Sequence, residues 1–264
     1  MNTAAATLWI VLGFLDEFSI LLTIKKAKSN MRIGIIQMRL TSEINKNVLK
    51  ILNHIRYAHK SKLDLLCFPE CALSGYIVDH HKVRWEQIRD GIEKLQRASN
   101  SYGISLVVGS SWHPDNRIYN SALIIRPNSS LLTYYKNSLT EYDKKYFTKG
   151  KSTLAFDING VKCGVLICRD QNNPLLAMNY RHTKILFYLS SHYYSKEEAE
   201  EKERKNKALP IVRALENGIY VAKADAVGKQ NGLVSLGTSI VVNPQGYVIA
   251  EAKNGKEEML KFHL

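Results

Sequence analysis

VKCGVLICRD, residues 161–170, is an apolar run that turns polar directly after a cysteine. Such a run is typical of a buried β-strand, and Asn173 and Pro174 just beyond it stop a strand and can open a helix. Cys168 therefore lies at a strand end, where the backbone fixes the position of its sulfur. Because the amino end of a helix favours a thiolate, this is a place where an enzyme would hold a nucleophilic thiol.

Two other strand ends carry side chains that complement a thiol. Glu70 follows the apolar run at residues 65–69, and Lys136 follows the run at residues 131–135. A carboxylate in a partly dry place has a raised pKa and can accept and return a proton near neutral pH. A fixed ammonium can stabilise the oxyanion that forms when a carbonyl or nitrile carbon is attacked. Alone, each is more often a capping or surface residue, so only the combination with Cys168 predicts a site.

Size and charge limit the classes of protein to consider. The length of 264 residues and the hydrophobic content of 45% suit one large α/β domain. The formal net charge of +13 would suit a nucleic acid or an anionic membrane as partner. However, positive charge is spread along the chain, and its densest stretch, residues 196–207, is interleaved with glutamates. That stretch predicts a solvated helix face, so we expect no nucleic-acid partner.

Cysteine usage predicts a reducing compartment. Four cysteines are too few for a disulfide framework in a chain of this length, so we expect a cytoplasmic protein. Cys163 and Cys168 differ by an odd number and so face opposite sides of one strand. No paired cysteine or histidine spacing completes a tetrahedral zinc site, and we expect no metal. Cys67 and Cys163, each inside an apolar run, fit buried core thiols.

The first thirty residues do not fit the pattern of the rest. Residues 4–24 are largely apolar and long enough to cross a bilayer, but Asp16 and Glu17 lie at the middle. There an unpaired charge costs roughly 2.5 to 3.5 kcal/mol, so membrane association through this segment is disfavoured. A secretory signal is also a weak reading, because no basic region precedes the apolar stretch. A strand pattern begins at Met31, and we predict that residues 1–30 are a dispensable extension.

Hydrophobic periodicity predicts alternating strands and helices along residues 31–264. Predicted strands cover residues 31–38, 63–68, 104–110, 121–126, 131–135, 154–158, 161–167, 185–189, 220–224, 239–242 and 247–250. Predicted helices cover residues 44–59, 83–102, 174–180 and 197–217, and Pro210 is expected to kink or divide the last of them. This alternation describes a layered α/β domain with no internal repeat and no low-complexity linker.

Each of the three candidate residues belongs to a longer motif segment: Glu70 to FPECALSGY at 68–76, Lys136 to YK at 135–136 with YFTKG at 146–150, and Cys168 to GVLICRD at 164–170. Two further segments follow them, RALEN at 213–217 and GTS at 237–239 followed by Pro244 and Gly246. In this order they resemble the nitrilase, or carbon-nitrogen hydrolase, superfamily, whose catalytic triad is Glu, Lys and Cys. The resemblance covers residues 31–264. It implies an α/β fold, the four-layer α-β-β-α sandwich of the nitrilase type, and a triad of Glu70, Lys136 and Cys168.

The chain departs from the family pattern beside the triad. Family members usually carry a second glutamate shortly after the lysine, where this chain has Asp143, with Glu141 nearby. Leu175 replaces a usual acid, and Arg169 replaces a frequent aromatic residue. The resemblance therefore implies supporting roles for Asp143 and Arg169, with a shorter carboxylate near Lys136.

Residues expected to contact the substrate lie at the ends of two motif segments. Tyr76 closes the segment that contains Glu70, and Ser191 and His192 end the strand after the nucleophile segment. These side chains are expected to line the mouth of the pocket. By analogy with similar proteins, we also expect a homodimer or a higher homo-oligomer, with the helix that ends at Asn217 contributing to the interface.

The resemblance implies thiol-dependent hydrolysis of a non-peptide carbon-nitrogen bond in a small amide or carbamoyl compound. Glu70 would take the thiol proton, and Cys168 would form an acyl-enzyme. Lys136 and the backbone N–H after the cysteine would stabilise the oxyanion, and no cofactor is required. Three alternatives stay open: nitrile hydrolysis, acyl transfer to an amine or thiol by the same triad, and a non-catalytic scaffold that retains the fold.

Overall fold

Apolar runs form strands and amphipathic segments form helices among residues 30–264, the part of the chain that the computed structural model describes. From Met31 onward these residues make one compact unit. The strands are β1 (Arg32–Gln37), β2 (Leu65–Cys67), β3 (Ser105–Trp112), β4 (Tyr119–Ile125), β5 (Leu132–Tyr135), β6 (Ala155–Ile158), β7 (Val161–Ile167), β8 (Ile185–Ser190), β9 (Tyr220–Asp225), β10 (Gly228–Gln230), β11 (Leu233–Ser235), β12 (Ile240–Val242), β13 (Val248–Glu251) and β14 (Glu258–His263). The α-helices are α1 (Ile44–Lys60), α2 (Trp85–Tyr102), α3 (Pro174–Met178) and α4 (Lys196–Asn217).

Two six-stranded sheets have the same kind of topology. Sheet 1 has the order β14-β1-β2-β3-β4-β5, and sheet 2 has the order β13-β12-β9-β8-β7-β6. In each sheet three central strands are parallel, β1-β2-β3 in one and β7-β8-β9 in the other. Antiparallel strands complete both sides. The carboxyl ends of the parallel strands therefore share one edge in each sheet, which is where such sheets usually place functional side chains.

The sheets and helices form four layers. Alternation along β1 sends Ile33 and Ile35 to the core between the sheets and Ile36 to the opposite face, where α1 and α2 pack. In α1, the residues at helical spacing that face this sheet include Val48, Ile51 and Ile55, all buried. On the other side of the sandwich, α3 and α4 lie against sheet 2. The predicted α-β-β-α sandwich is confirmed.

Helix α4 is continuous from Lys196 to Asn217. A capping box of Ser195 and Glu198 begins it, and Gly218 in the left-handed conformation ends it. Pro210 lies inside this helix, so the predicted division is wrong, while the predicted kink stays a prediction. Pro210 is buried, and its missing N–H costs only one hydrogen bond in a helix that tertiary packing holds on both sides of it.

The structure contains three strands that the sequence did not predict, and one predicted segment lies almost entirely outside the described residues. The strand β14 and the hairpin of β10 and β11 were not predicted, and β14 pairs with β1 over residues 258–263. The proposed extension at residues 1–30, with its apolar segment 4–24, lies outside the described residues except for Asn30. Within residues 30–264 there is no helix with the length and apolar character needed to cross a membrane.

Candidate active site

Each predicted triad residue follows the carboxyl end of a strand. Glu70 lies in the turn after β2, Lys136 follows β5, and Cys168 follows β7. The edges of the two sheets are joined directly, because the hydroxyl of Ser191, after β8, donates to the backbone carbonyl of Glu70 at 2.7 Å. The structure thus brings the strand ends of both sheets to one place.

Glu70 is completely buried and uses its two carboxyl oxygens differently. Oε1 accepts hydrogen bonds from Lys136 Nζ at 2.6 Å and from Asn120 Nδ2 at 2.7 Å. Oε2 is sealed from solvent and has no hydrogen-bond partner among the described residues. A buried oxygen without a partner is costly and marks a place where a proton or a ligand group is to be received. One oxygen therefore orients the carboxyl group, and the other is available as a base.

Lys136 lies between two carboxylates. Its Nζ is 2.6 Å from Glu70 Oε1 and 2.7 Å from Asp143 Oδ2, and all three side chains are fully buried. Asp143 is fixed in turn by the backbone N–H of Thr140 at 2.9 Å and by the Tyr76 hydroxyl at 3.2 Å. The shorter aspartate therefore does reach the ammonium.

The alternative acid near the lysine points elsewhere. Glu141 is exposed and forms an ion pair with Lys144 at 2.6 Å. Because an exposed pair of this kind contributes little and lies away from Lys136, Asp143 is the carboxylate that serves the buried cluster.

Burial controls the protonation of the cluster. It raises the pKa of Glu70 to about 7, although the nearby Lys136 opposes the shift. Burial also disfavours the charged form of Lys136, but the surrounding acidic groups, Glu70 first, outweigh it and hold the pKa of the ammonium well above its usual range. A buried carboxyl group with a pKa near neutrality is suited to exchange protons in a reaction at physiological pH.

The thiol of Cys168 rests in its protonated form. Burial, and after it the charge of Glu70, raises the pKa of this thiol well above its usual range. Lys136 and a hydrogen bond from the backbone of Ser191 act in the opposite direction. The first turn after the sulfur is a 3-10 turn, Cys168–Asn172, and α3 begins only at Pro174. That the amino end of a helix favours the thiolate stays a prediction.

The backbone at Cys168 is strained, and a buried acid holds the strain. Cys168 has φ +44°, in the left-handed region, which costs about 1–2 kcal/mol for a residue with a side chain. The carboxylate of Asp170 accepts from the backbone N–H of Ile167 at 3.1 Å and from the Tyr134 hydroxyl at 2.8 Å. It also accepts from the backbone of Ser138 at 2.6 Å. Asp170 thereby ties the nucleophile turn to the loop that follows Lys136.

Cys168 is buried, with 7% of the residue exposed. A surface cleft of about 440 Å³ lies near the amino ends of α1 and α2, and no triad residue lines it. We therefore place the reaction at the strand ends and not in that cleft, because the chemistry follows the thiol.

The residues predicted to contact the substrate, and Arg169, lie around the triad in the following places. Tyr76 is buried and its hydroxyl is bound to Asp143. Ser191 holds the Glu70 backbone, and His192 Nδ1 lies 2.9 Å from Asp225 Oδ2. Arg169 is exposed at the surface beside the cysteine. Among the residues that the structure describes, no cluster of histidine, cysteine and acidic side chains could hold a metal ion.

Sequence reasoning missed two buried side chains of the cluster. Asp170 lies inside the nucleophile segment, three positions after Ile167, but its role as the acceptor that holds the turn was not predicted. Asn120 lies 50 positions from Glu70, and its contact follows only from strand pairing. Ser121 pairs with Tyr135 across β4 and β5, so that Asn120 comes to lie beside Lys136.

The structure is thus a four-layer α-β-β-α sandwich that gathers a thiol, a carboxylate and an ammonium at one edge. The chain belongs to the carbon-nitrogen hydrolase family, because the model of that family matches residues 32–264. The resemblance to the nitrilase superfamily is thereby confirmed.

Known relatives include enzymes that act on carbon-nitrogen bonds. Human omega-amidase NIT2 is 28% identical over 249 residues, which are 89% of this chain and 88% of that protein. A glutamine-dependent NAD(+) synthetase of Thermotoga maritima is 27% identical over 247 residues, 89% of this chain but 42% of the synthetase. This chain thus spans about two fifths of that relative's length. A crystal structure of an amidase from Nesterenkonia sp. has the same fold, with a TM-score of 0.80, 24% identity, and coverage of 90% of this chain and 91% of the amidase.

Proposed function

We propose that this carbon-nitrogen hydrolase cleaves small amides through an acyl-enzyme on Cys168, with Glu70 as the proton carrier and Lys136 as the oxyanion-stabilising cation. The observation that carries the proposal is that the two carboxyl oxygens of Glu70 have different surroundings. Oε1 is held by Lys136 and Asn120, while the buried Oε2 has no partner among the described residues, and the charge of Glu70, after burial, raises the pKa of the Cys168 thiol. A base held in one orientation beside a protonated thiol is the arrangement that nucleophilic catalysis needs.

In the first step a proton moves from sulfur to oxygen. Glu70 Oε2 accepts the thiol proton as Cys168 Sγ bonds to the amide carbon. The carbonyl oxygen becomes an oxyanion, which Lys136 Nζ and the backbone N–H of Arg169 stabilise. Glu70 then gives its proton to the nitrogen, the carbon-nitrogen bond breaks, and ammonia or an amine leaves. The product of this half-reaction is a thioester on Cys168.

In the second step water takes the place of the amine. Glu70, ionised again, removes a proton from water while the oxygen bonds to the thioester carbon. The second oxyanion collapses, the carbon-sulfur bond breaks, and the proton on Glu70 returns to Cys168. The net reaction consumes one amide and one water and releases one carboxylic acid and one amine. Two lower barriers thereby replace the single high barrier of direct hydrolysis.

The relatives support an amide substrate. The relatives include an omega-amidase, an amidase and a glutamine-dependent NAD(+) synthetase. For the Nesterenkonia amidase, a further structure has the acetamide moiety of fluoroacetamide covalently added at its active site cysteine. That adduct keeps its amide group, so it is an alkylated cysteine and not an acyl-enzyme; it supports a nucleophilic cysteine in that relative, which is the role we propose for Cys168. A small carbamoyl compound would follow the same chemistry.

Intact-protein mass spectrometry with a panel of small primary amides tests the proposal. The wild-type protein should release ammonia and gain the mass of one acyl group, and Cys168→Ala should do neither. Cys163→Ala is the matched control, because it removes another buried thiol and should still form the adduct. No acyl adduct on the wild-type protein, together with equally slow alkylation of all four cysteines, would contradict the proposal.

The same experiment separates hydrolysis from acyl transfer. If water resolves the thioester, the acid accumulates without any added acceptor and the adduct disappears with time. An adduct that persists in water and disappears only after an amine or thiol is added would assign acyl transfer to the same triad.

A further inference from the structure

The three triad residues come from different sheets, so their spacing depends on contacts between the two sheets. Glu70 and Lys136 follow strands of sheet 1, whereas Cys168 follows β7 of sheet 2. One contact across this boundary is the hydrogen bond from the Ser191 hydroxyl to the backbone carbonyl of Glu70. It places the base relative to sheet 2 and leaves the loop after Lys136 to be placed by another contact.

Asp170 supplies the contact on the lysine side. Its side chain is completely buried and accepts four hydrogen bonds from the described residues. Oδ1 accepts from the backbone N–H groups of Asn137 at 3.1 Å and of Ser138 at 2.6 Å. Oδ2 accepts from the backbone N–H of Ile167 at 3.1 Å and from the Tyr134 hydroxyl at 2.8 Å. One oxygen therefore holds the loop directly after the triad lysine, and the other holds the residue directly before the nucleophile.

These four bonds fit an ionised carboxylate. The Tyr134 hydroxyl itself accepts from Asn137 Nδ2 at 2.8 Å, which leaves its hydrogen for Asp170. The other three partners are backbone N–H groups, which can only donate. Burial raises the pKa of Asp170, while the Tyr134 hydroxyl, the charge of Lys136 and the backbone donors act against that shift. An amide of the same shape has a single acceptor oxygen and could not accept all four bonds.

The far end of the nucleophile turn is held separately by Arg213, the first residue of the RALEN segment. Arg213 is buried on α4, and its Nε donates to the backbone carbonyl of Gln171 at 2.9 Å. Its guanidinium also pairs with Glu216 on the same helix. Loss of the Asp170 bonds would therefore leave the turn attached to its own side of the sandwich but released from the loop after Lys136.

We propose that Asp170 is a positioning residue that sets the distance between the Lys136 ammonium and the carbonyl oxygen of a substrate bound to Cys168. It acts through the backbone on both sides. The inference rests on the proposed function and adds a residue to its oxyanion step. Without the Asp170 acceptors, attack on an amide should slow, because Lys136 stabilises the charge that develops there. A reaction of the same thiol that develops no oxyanion should slow much less.

Asp170→Asn tests this when two rates are measured on one preparation. The variant keeps the shape of the side chain but puts an NH2 group against a backbone N–H on one side or the other. One rate is kcat/KM for a small primary amide. The other is alkylation of Cys168 by iodoacetamide, in which the sulfur displaces iodide from a CH2 carbon and no oxyanion forms. We expect kcat/KM to fall about 100-fold or more and the alkylation rate constant to stay within about threefold of wild type.

A merely structural role would lower both rates by the same factor, because both reactions need the folded site. Asp157→Asn is the matched control, since Asp157 is exposed near the end of β6 and its carboxylate accepts from the backbone of Gly160. Both rates should keep their wild-type values in this control.

Tyr134→Phe decides the question if Asp170→Asn does not fold. It removes one donor to Asp170 and leaves the three backbone bonds. We expect kcat/KM to fall roughly 3- to 10-fold with an unchanged alkylation rate constant, because one hydrogen bond of four is lost. Wild-type values of both rates in this variant would then overturn the proposal.

Two outcomes in Asp170→Asn itself would also overturn it. One is amide hydrolysis at the wild-type rate, and the other is a fall in alkylation as large as the fall in hydrolysis. A wild-type protein that is alkylated at Cys168 but hydrolyses no amide would instead contradict the proposed function, and this role of Asp170 with it.

Discussion

Asn120 is the side chain that decides which oxygen of Glu70 acts as the base. It donates to Oε1 from the neighbouring strand β4, and it shares that oxygen with Lys136. Both donors favour the ionised carboxylate, and the asymmetry leaves Oε2 for the proton. Because Asn120 and Lys136 are cross-strand neighbours, the sheet itself sets their spacing.

We predict that kcat/KM for amide hydrolysis falls below an apparent pKa near 7 and that Asn120→Leu shifts this limit to higher pH. Only the ionised Glu70 can accept the thiol proton, and burial raises its pKa to about 7, so activity increases as pH rises through that value. Removing a donor to the ionised form raises the pKa further. pH-rate profiles measure the shift. Ser121→Ala, the next residue on the strand, should leave the limit unchanged, and an unchanged profile in Asn120→Leu would contradict the role.

Asp143→Asn should shift the apparent pKa below which kcat/KM falls to lower pH, opposite to the shift in Asn120→Leu. The charge of Asp143 raises the pKa of Glu70, so its removal makes Glu70 a stronger acid and moves the limit to lower pH. Lys136 also loses one of its two carboxylate partners, and we expect kcat to fall about 10- to 100-fold as its position loosens. Asp143→Glu should recover much of the rate, because the longer side chain can still pair. An alkaline shift in Asp143→Asn would disprove this account.

Among individual site residues, the sequence predicted those that lie next to a recognisable strand end. Glu70, Lys136 and Cys168 each follow such an end, and Asp143 follows the lysine at a spacing that the family pattern gives. Asn120 acts through strand pairing and a contact to Glu70, 50 positions away. No local pattern encodes such a contact, so it could be found only from the structure.

The elements position the site through close backbone packing, and Gly109 of β3 is the tightest point. A Cβ atom at this position would lie 2.3 Å from the carbonyl oxygen of Pro69 and 2.6 Å from the Cα of Glu70. These are backbone atoms, which cannot rotate away. The turn that presents Glu70 therefore lies directly on the adjacent strand, and only glycine allows this approach.

We expect Gly109→Ala to reduce kcat/KM by more than about 100-fold, because even a small misplacement of a catalytic group is costly. The strand must move away from the Pro69–Glu70 backbone, and the carboxyl group moves with it. Alkylation of Cys168 and a thermal unfolding curve show whether the fold survives. Gly91→Ala in α2 is the control, since the nearest atoms to its Cβ would be side-chain atoms of Val48 and Leu73 at 3.0 Å or more, and not backbone atoms. Wild-type activity in Gly109→Ala would contradict the close-packing argument.

Periodicity predicted the elements with strong apolar signals and missed those that depend on distant partners. The central parallel strands are buried on both faces, and their apolar runs are easy to recognise. Strand β14 has polar residues at alternate positions and pairs with β1, which lies more than 200 positions earlier in the chain. The division of α4 was predicted wrongly because local chemistry at Pro210 does not include the packing of the helix on sheet 2.

On the scale of the whole molecule, residues 31–264 hold both sheets, both helical layers and all the proposed site residues. We therefore predict that deletion of residues 1–30 leaves folding and amide hydrolysis unchanged. Thermal unfolding and kcat/KM of the shortened protein measure this. Deletion of residues 257–264 is the contrasting variant, because it removes β14 and exposes an edge of β1. Loss of folding in the first variant would overturn the prediction.

The last prediction concerns association of two copies. We define the apolar surface as the exposed side chains of Leu175, Met178, Val212, Leu215 and Tyr247, which lie on α3, α4 and the turn before β13. Gly246, the residue before Tyr247, lies against Leu215, because a Cβ on Gly246 would lie 2.6 Å from Leu215 Cγ. Exposed apolar patches of this kind usually mark interfaces, and a second copy is the occupant that the expected homo-oligomer supplies.

We expect a homodimer that buries this apolar surface and dissociates in Leu215→Asp. A carboxylate at the centre of a self-complementary contact would be buried twice in each dimer, without a partner. Light scattering with size-exclusion chromatography should give a dimer mass for the wild-type protein and a monomer mass for the variant. Leu49→Asp is the matched control, because Leu49 on α1 is 57% exposed and Leu215 is 56% exposed. A monomeric wild-type protein, or dissociation by Leu49→Asp alone, would place the interface elsewhere or remove it.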